Sequence, residues 1–196
     1  MDEVAMLRAA AAGQTEIVRA FLESKFYRKG DKATGFALMA AAAGGSVPCL
    51  QLLLKAKADV NTANKDGYTA AISAAVKGHP ECLRILLQVK ADIEAKSNRG
   101  VTPLMYAAYT GHTECLQLLL RAKANIGVPD QDGSTAAFLA AVYDQASCLQ
   151  MLLDAKADIS VVNRQGNTAL IAAATEGKTS CAQILIDAKA DVNGRG

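Results

Sequence analysis

Residues 64–96 read NKDGYTAAISAAVKGHPECLRILLQVKADIEAK. Asn64-Lys65-Asp66-Gly67 forms a turn, because Asn, Asp and Gly supply or tolerate the φ > 0 backbone that tight turns need. Thr69 to Val76 is a short helix of small residues, with Thr69 able to cap it. Gly78-His79-Pro80 breaks that helix and starts a second, since Pro fits the first turn, where its missing N–H is no loss. Cys82-Leu83-Arg84-Ile85-Leu86-Leu87 is apolar around most of its circumference, so this second helix must be covered on more than one side.

The same 33-residue unit recurs outward in both directions. Cys49, Cys82, Cys115, Cys148 and Cys181 keep one spacing of 33. Gly67, Gly100, Gly133 and Gly166 share it, as do Lys57, Lys90, Lys123, Lys156 and Lys189. Three residue types on one period mark an internal repeat. A single unit of two helices and a turn cannot bury its apolar faces, whereas stacked units share one core.

Composition agrees with a folded helical chain. Hydrophobic residues make up 51% and charged residues 20% of the 196 residues, and 39 are alanine. Alanine has the best helix propensity and lets helices approach closely. A net charge of +2 gives no argument for nucleic acid or an anionic membrane. No window reaches the roughly 20 apolar residues that span a bilayer. The acidic Met1-Asp2-Glu3 start lacks a basic region followed by an apolar one, so no secretory signal is expected. Five cysteines, an odd number, fit a reducing compartment, and a cytoplasmic location is the expectation.

Gly100-Val101-Thr102-Pro103-Leu104-Met105-Tyr106-Ala107-Ala108-Tyr109-Thr110-Gly111-His112 resembles the ankyrin repeat motif most closely. Gly67 to His79 and Gly166 to Gly177 follow with more changes, and the resemblance covers nearly the whole chain. It implies one all-α domain over residues 1–196, an ankyrin-repeat solenoid of stacked helix-turn-helix units with short β-turn loops and right-angled, L-shaped repeats. The repeats are placed at 1–31, 32–63, 64–96, 97–129, 130–162 and 163–196. The first resembles an N-terminal cap, with Asp2 and Glu3 at a positive helix start and Gly13 and Ile17 to Leu22 matching the later second helices. Ser24 to Thr34, with Lys25, Arg28, Lys29 and Lys32, reads as an irregular linker.

Three departures from the family pattern stand out. Ile72, Met105, Phe138 and Ile171 replace the motif histidine, so apolar packing must substitute for its hydrogen bonds, and the motif proline survives only as Pro103. Lysine replaces the glycine after the second helix in five repeats; it either adopts the left-handed conformation at some strain or ends the helix differently. Asp144-Gln145 replaces Gly-His, and local distortion of that turn is expected.

No chemistry-bearing constellation emerges. Cysteines 33 apart lack the short spacing of zinc ligands and read as small buried hydrophobes. His79 and His112 match the family's structural Gly-His turn. The lysine ladder is largely compensated by Asp59, Asp92, Asp158 and Asp191 two residues on, and reads as structural, with an acidic-partner stripe as the alternative. Gly44-Gly45 is a turn pair and no phosphate loop. No catalytic residue, metal site, cofactor or small-molecule substrate is expected.

The resemblance implies a protein-interaction scaffold holding a partner in a concave groove of turn tips and first helices. The matching positions are Lys65, Asp66, Tyr68, Val76 and Lys77; Asn98, Arg99, Val101, Tyr109 and Thr110; Gln131, Asp132, Ser134, Val142 and Tyr143; and Arg164, Gln165, Asn167, Thr175 and Glu176. Residue type varies most at these positions while the framework repeats. Tyr68, Arg99, Tyr109 and Tyr143 are the expected anchors, since Tyr and Arg dominate interface hot spots. The alternative is a targeting or structural segment of a larger protein whose activity lies elsewhere, suggested by the last second helix, Cys181 to Ile186, which lacks an obviously polar outer face.

Overall fold

The computed structural model describes residues 3–24 and 32–191. Among them are twelve α-helices, two per repeat. The first helices of the repeats are α1 (Glu3–Ala11), α3 (Lys32–Ala43), α5 (Ala70–Lys77), α7 (Pro103–Thr110), α9 (Ala136–Val142) and α11 (Ala169–Thr175). The second helices are α2 (Thr15–Leu22), α4 (Val47–Lys55), α6 (Pro80–Gln88), α8 (Thr113–Arg121), α10 (Ala146–Asp154) and α12 (Thr179–Asp187). The chain divides into two compact units, Met1–Asn98 and Arg99–Gly196. In the first unit α3 packs between α1 and α5, and α4 between α2 and α6. In the second, α9 packs between α7 and α11, and α10 between α8 and α12. Each unit is therefore a short all-α repeat stack.

The first helices pack through alanine. Ala41, Ala42, Ala74, Ala75, Ala107, Ala108, Ala140 and Ala141 are fully buried, so these helices meet with little side-chain bulk between them. The second helices contribute larger wedges at one register, with Leu53, Leu86, Leu119, Leu152 and Leu185 fully buried. Burying a Leu side chain is worth about 1.5–3 kcal/mol, so these five carry much of the stacking energy.

Thr69, Thr102, Thr135 and Thr168 each precede a first helix and accept a hydrogen bond from the third helical N–H, at 3.3–3.4 Å. Such a cap is worth about 1 kcal/mol. At the replaced motif histidine, Ile72, Met105 and Phe138 are buried and Ile171 is half-buried, so apolar packing does occupy the site. Met105 adds a polar touch, since its Sδ accepts from the Thr102 N–H at 3.4 Å.

The five repeated lysines take the strained alternative. Lys57, Lys90, Lys123, Lys156 and Lys189 all have φ of 62–67°. The residue after each donates back into the helix: Ala58 to Leu53 O, Ala91 to Leu86 O, Ala124 to Leu119 O, Ala157 to Leu152 O and Ala190 to Leu185 O, at 2.9–3.0 Å. That long backward bond is the Schellman closure, which satisfies helix-end carbonyls but requires a left-handed residue. The acids two residues on serve the backbone as well. Asp59, Asp92 and Asp158 accept from the N–H of Asn61, Glu94 and Ser160, at 2.9–3.0 Å.

Several expectations change. The Asp144-Gln145 turn is not distorted. Asp144 adopts φ of 57°, where the equivalent Gly111 has 78°, and Gln145 N–H reaches Ala140 O at 2.8 Å as His112 N–H reaches Ala107 O at 3.0 Å. Asp tolerates the left-handed region better than most residues. The linker ends earlier than expected, because α3 already begins at Lys32. Lys25, Arg28 and Lys29, like Asp2, lie outside the described residues. The exposed positions of α12 are mostly polar, namely Thr179, Ser180, Gln183 and Asp187; Ile186, 46% exposed, is the apolar exception.

All five cysteines are free and buried. Cys148 and Cys181 point their Sγ at carbonyls of the preceding repeat, Ala107 O at 3.9 Å and Ala140 O at 3.8 Å. Burial pushes the Cys82 thiol up from 9.0 to about 11, with Glu81 adding to the rise. Cys148 rises to about 11 through burial. Cys181 does so through burial first, then the charge and hydrogen bond of Asp144.

Two outcomes follow from these features. Lys90→Gly relieves the left-handed strain and raises unfolding free energy by about 1 kcal/mol, measurable by urea titration; an unchanged or lower midpoint counts against strain at this position. The raised thiols bind their protons more tightly in the folded than in the unfolded chain. Stability is therefore intact below pH 9 and falls as the pH rises from 9 towards 11. The decline is shallower in Cys148→Ala than in the parent, and superimposable pH curves would contradict the shift.

Candidate partner-binding surface

Between Thr69, Thr135 or Thr168 and the preceding helix, the chain makes a turn whose tip is held by its first residue. Asn64 Oδ1 accepts from the N–H groups of Asp66 and Tyr68, both at 2.9 Å. Asp130 Oδ1 does the same for Asp132 and Ser134, and Asn163 Oδ1 for Gln165 and Asn167. One side-chain oxygen thus fixes both arms of each of these turns.

Tips of successive repeats are then joined by backbone. In the first unit Asn98 N–H donates to Asp66 O at 2.9 Å, and Asn98 Nδ2 donates to Lys65 O at 2.8 Å. In the second, Gln131 N–H donates to Arg99 O at 3.0 Å and Arg164 N–H to Asp132 O at 2.8 Å. Gly67 has φ of 80°, and a Cβ there would sit 2.8 Å from Asn98 N. Glycine is needed both for the conformation and for the approach of the next tip.

The structure leaves most of the candidate residues reachable. Lys65, Asp66, Lys77, Asn98, Arg99, Gln131, Asp132, Tyr143 and Arg164 are exposed; Tyr68, Tyr109 and Asn167 are half-buried. Of the secondary candidates, Gln165, Thr175 and Glu176 are exposed and Val76, Thr110 and Val142 half-buried. Val101 and Ser134 are different. They are 8% and 5% exposed, because the chain dips inward immediately after the tip glycine, and so they offer a partner little surface.

In the second unit two candidate pairs also meet through their side chains. Tyr109 and Tyr143 meet edge to face, with ring centroids 4.1 Å apart and planes at 80°. Tyr143 remains 48% exposed. Arg99 Nη2 lies 3.8 Å from Asp132 Oδ2, both side chains well exposed, so solvent screens the pair and it contributes little.

In the first unit the tip residues Asn64, Lys65 and Tyr68 share an open apolar trough of about 570 Å³ with Leu7 of α1, Phe36, Met39, Ala40 and Ala43 of α3, and Ser73 of α5. The helical residues of this set were not expected from the sequence. Their signal was present as a register: Ala40 and Ser73 align with Tyr106 and Leu139, and Ala43 and Val76 with Tyr109 and Val142. At three of these four registers the first unit carries the smaller residue.

His79 caps no site for chemistry. Its Nε2 lies 3.1 Å from Ala43 O of the preceding repeat, a structural tie. Among the described residues no group of three His, Cys, Asp or Glu side chains is placed to hold a metal ion, and no helix is long and apolar enough to cross a membrane.

A family model described as ankyrin repeats, three copies, matches residues 6–97, 38–130, 80–163 and 104–195. No curated protein matches the sequence significantly. The overlapping family matches run from residue 6 to residue 195 and coincide with the helix pairs, caps and hydrogen-bonded tips described above. Ankyrin repeats are generally protein–protein interaction modules and typically not enzymes. The chain belongs to the ankyrin repeat family.

Proposed function

We propose that this chain is a non-enzymatic scaffold that binds a partner protein through the groove that turn tips and first helices form within each unit. The contact residues in the first unit are Lys65, Asp66, Tyr68, Lys77 and Asn98. In the second they are Arg99, Tyr109, Gln131, Asp132, Tyr143, Arg164 and Asn167. One observation carries the reading: buried framework positions repeat, while exposed positions on the tips and at the ends of the first helices do not. The tip position after the turn's first residue is Lys65, Asn98, Gln131 and Arg164 in successive copies; the next is Asp66, Arg99, Asp132 and Gln165. Packing constrains the first set and leaves the second free to suit an outside ligand. A cytoplasmic setting goes with this reading, since five buried free thiols suit a reducing compartment.

The exposed aromatic pair is the strongest anchor, because Tyr supplies large contact area at small entropy cost. Affinity capture from the source cell followed by mass spectrometry identifies the protein that the parent chain retains. The Tyr109→Ala/Tyr143→Ala variant is expected to retain it at least about tenfold less. Its stability falls by roughly 1–3 kcal/mol, the edge-to-face contact together with the buried part of the two rings, which leaves the chain folded. Equal retention, or loss of the folded state, defeats the assignment of these two rings to the partner.

A further inference from the structure

Resting on the partner-binding reading, we infer that the trough of the first unit takes a segment of the partner that presents a large apolar side chain beside a carboxylate. Its volume of about 570 Å³ falls in the range of about 300–1,000 Å³ common for binding pockets. Its exposed lining is almost wholly carbon, with Leu7, Phe36, Met39, Ala40 and Ala43 contributing. An exposed apolar trough gains by covering, at about 25 cal/mol per Å² of apolar surface removed from water. Met39 and Leu7 can adjust their rotamers to the shape of what enters, and Met in particular fills irregular gaps.

The charge at the rim selects the occupant. Among the described residues Lys65 is the charged one in the lining, and no carboxylate lines the trough. Lys32 stands four residues before Phe36 on α3, and Lys77 four residues after Ser73 on α5. Residues four apart share a helix face, so both lysines lie one turn from the lining, and both are exposed. Against these three cations stand Glu3, four residues before Leu7, and Asp66, next to Lys65. Among the described residues the balance is positive, and an acidic group flanking the apolar anchor meets it while a basic one is repelled.

The second unit shows how to close the trough without disturbing the framework. Tyr106 occupies the register of Ala40, and Tyr109 that of Ala43. Ala40→Tyr and Ala43→Tyr therefore install side chains that the same helix position already accommodates two repeats later.

The test is selection of a random-peptide library on the full chain, with circular dichroism melts of every variant. Enriched peptides are expected to pair a large apolar residue with a neighbouring Asp or Glu. Ala40→Tyr and Ala43→Tyr should each weaken their binding by about tenfold or more, the worth of one buried apolar side chain. Lys65→Glu should weaken it several-fold and shift a fresh selection towards basic flanks. No enrichment, enrichment without acidic residues, or binding that survives both filled variants overturns the inference. Peptides that survive them but are lost with Tyr109→Ala/Tyr143→Ala would place recognition in the second unit, leaving the scaffold reading intact and removing the trough from it.

Discussion

The close approach of alanine-faced first helices is the constraint on which the rest depends. With Ala41, Ala42, Ala74 and Ala75 fully buried in one unit, and Ala107, Ala108, Ala140 and Ala141 in the other, first helices come near enough for their turns to touch. Only then can a tip N–H reach the carbonyl of the tip before it, as Gln131 reaches Arg99. The cysteine register follows from the same approach, since Cys148 and Cys181 reach carbonyls one repeat back. A bulkier residue at any of these alanines would separate the helices and undo several polar contacts together with the packing.

Polar groups are arranged to make that approach tolerable. Four first helices start from a capping threonine, five second helices end in the backward bond over a left-handed lysine, and turn tips are held by Asn64, Asp130 or Asn163. Among the described residues no buried side-chain nitrogen or oxygen lacks a hydrogen-bond partner. The exposed surface can then vary in sequence without touching the framework, which is the property a family of binding scaffolds exploits.

Much of this was legible in the sequence, because the determinants are local and periodic. Thr69 as a cap, Pro80 at a helix start and Asn64 to Gly67 as a turn are each read from neighbours in the chain, and each holds. The lysine after each second helix left two outcomes open; the backward bond from Ala91 to Leu86 decides for the left-handed one. Asp144 was misjudged because a missing glycine suggests a missing left-handed residue, yet Asp supplies the same φ. The candidate surface was harder to read. Val101 and Ser134 stand among variable positions but turn inward, and the direction of a side chain just after a tight turn is not written in a period of 33. The trough was invisible for the opposite reason: Ala40 and Ala43 look like more framework alanine until their register is compared with Tyr106 and Tyr109.

The ties between repeats have a consequence for how the chain is made. The bonds that join one repeat to the next span between 31 and 41 residues, as from Asp92 to Asn61 and from Cys148 to Ala107. That span is a property of the repeat, so lengthening such an array does not lengthen the loops that must close during folding. Each added repeat meets the same modest closure entropy, and folding can start at any well-formed pair and spread to its neighbours. Such a polypeptide can begin to order as soon as two repeats have left the ribosome, without waiting for its own far end.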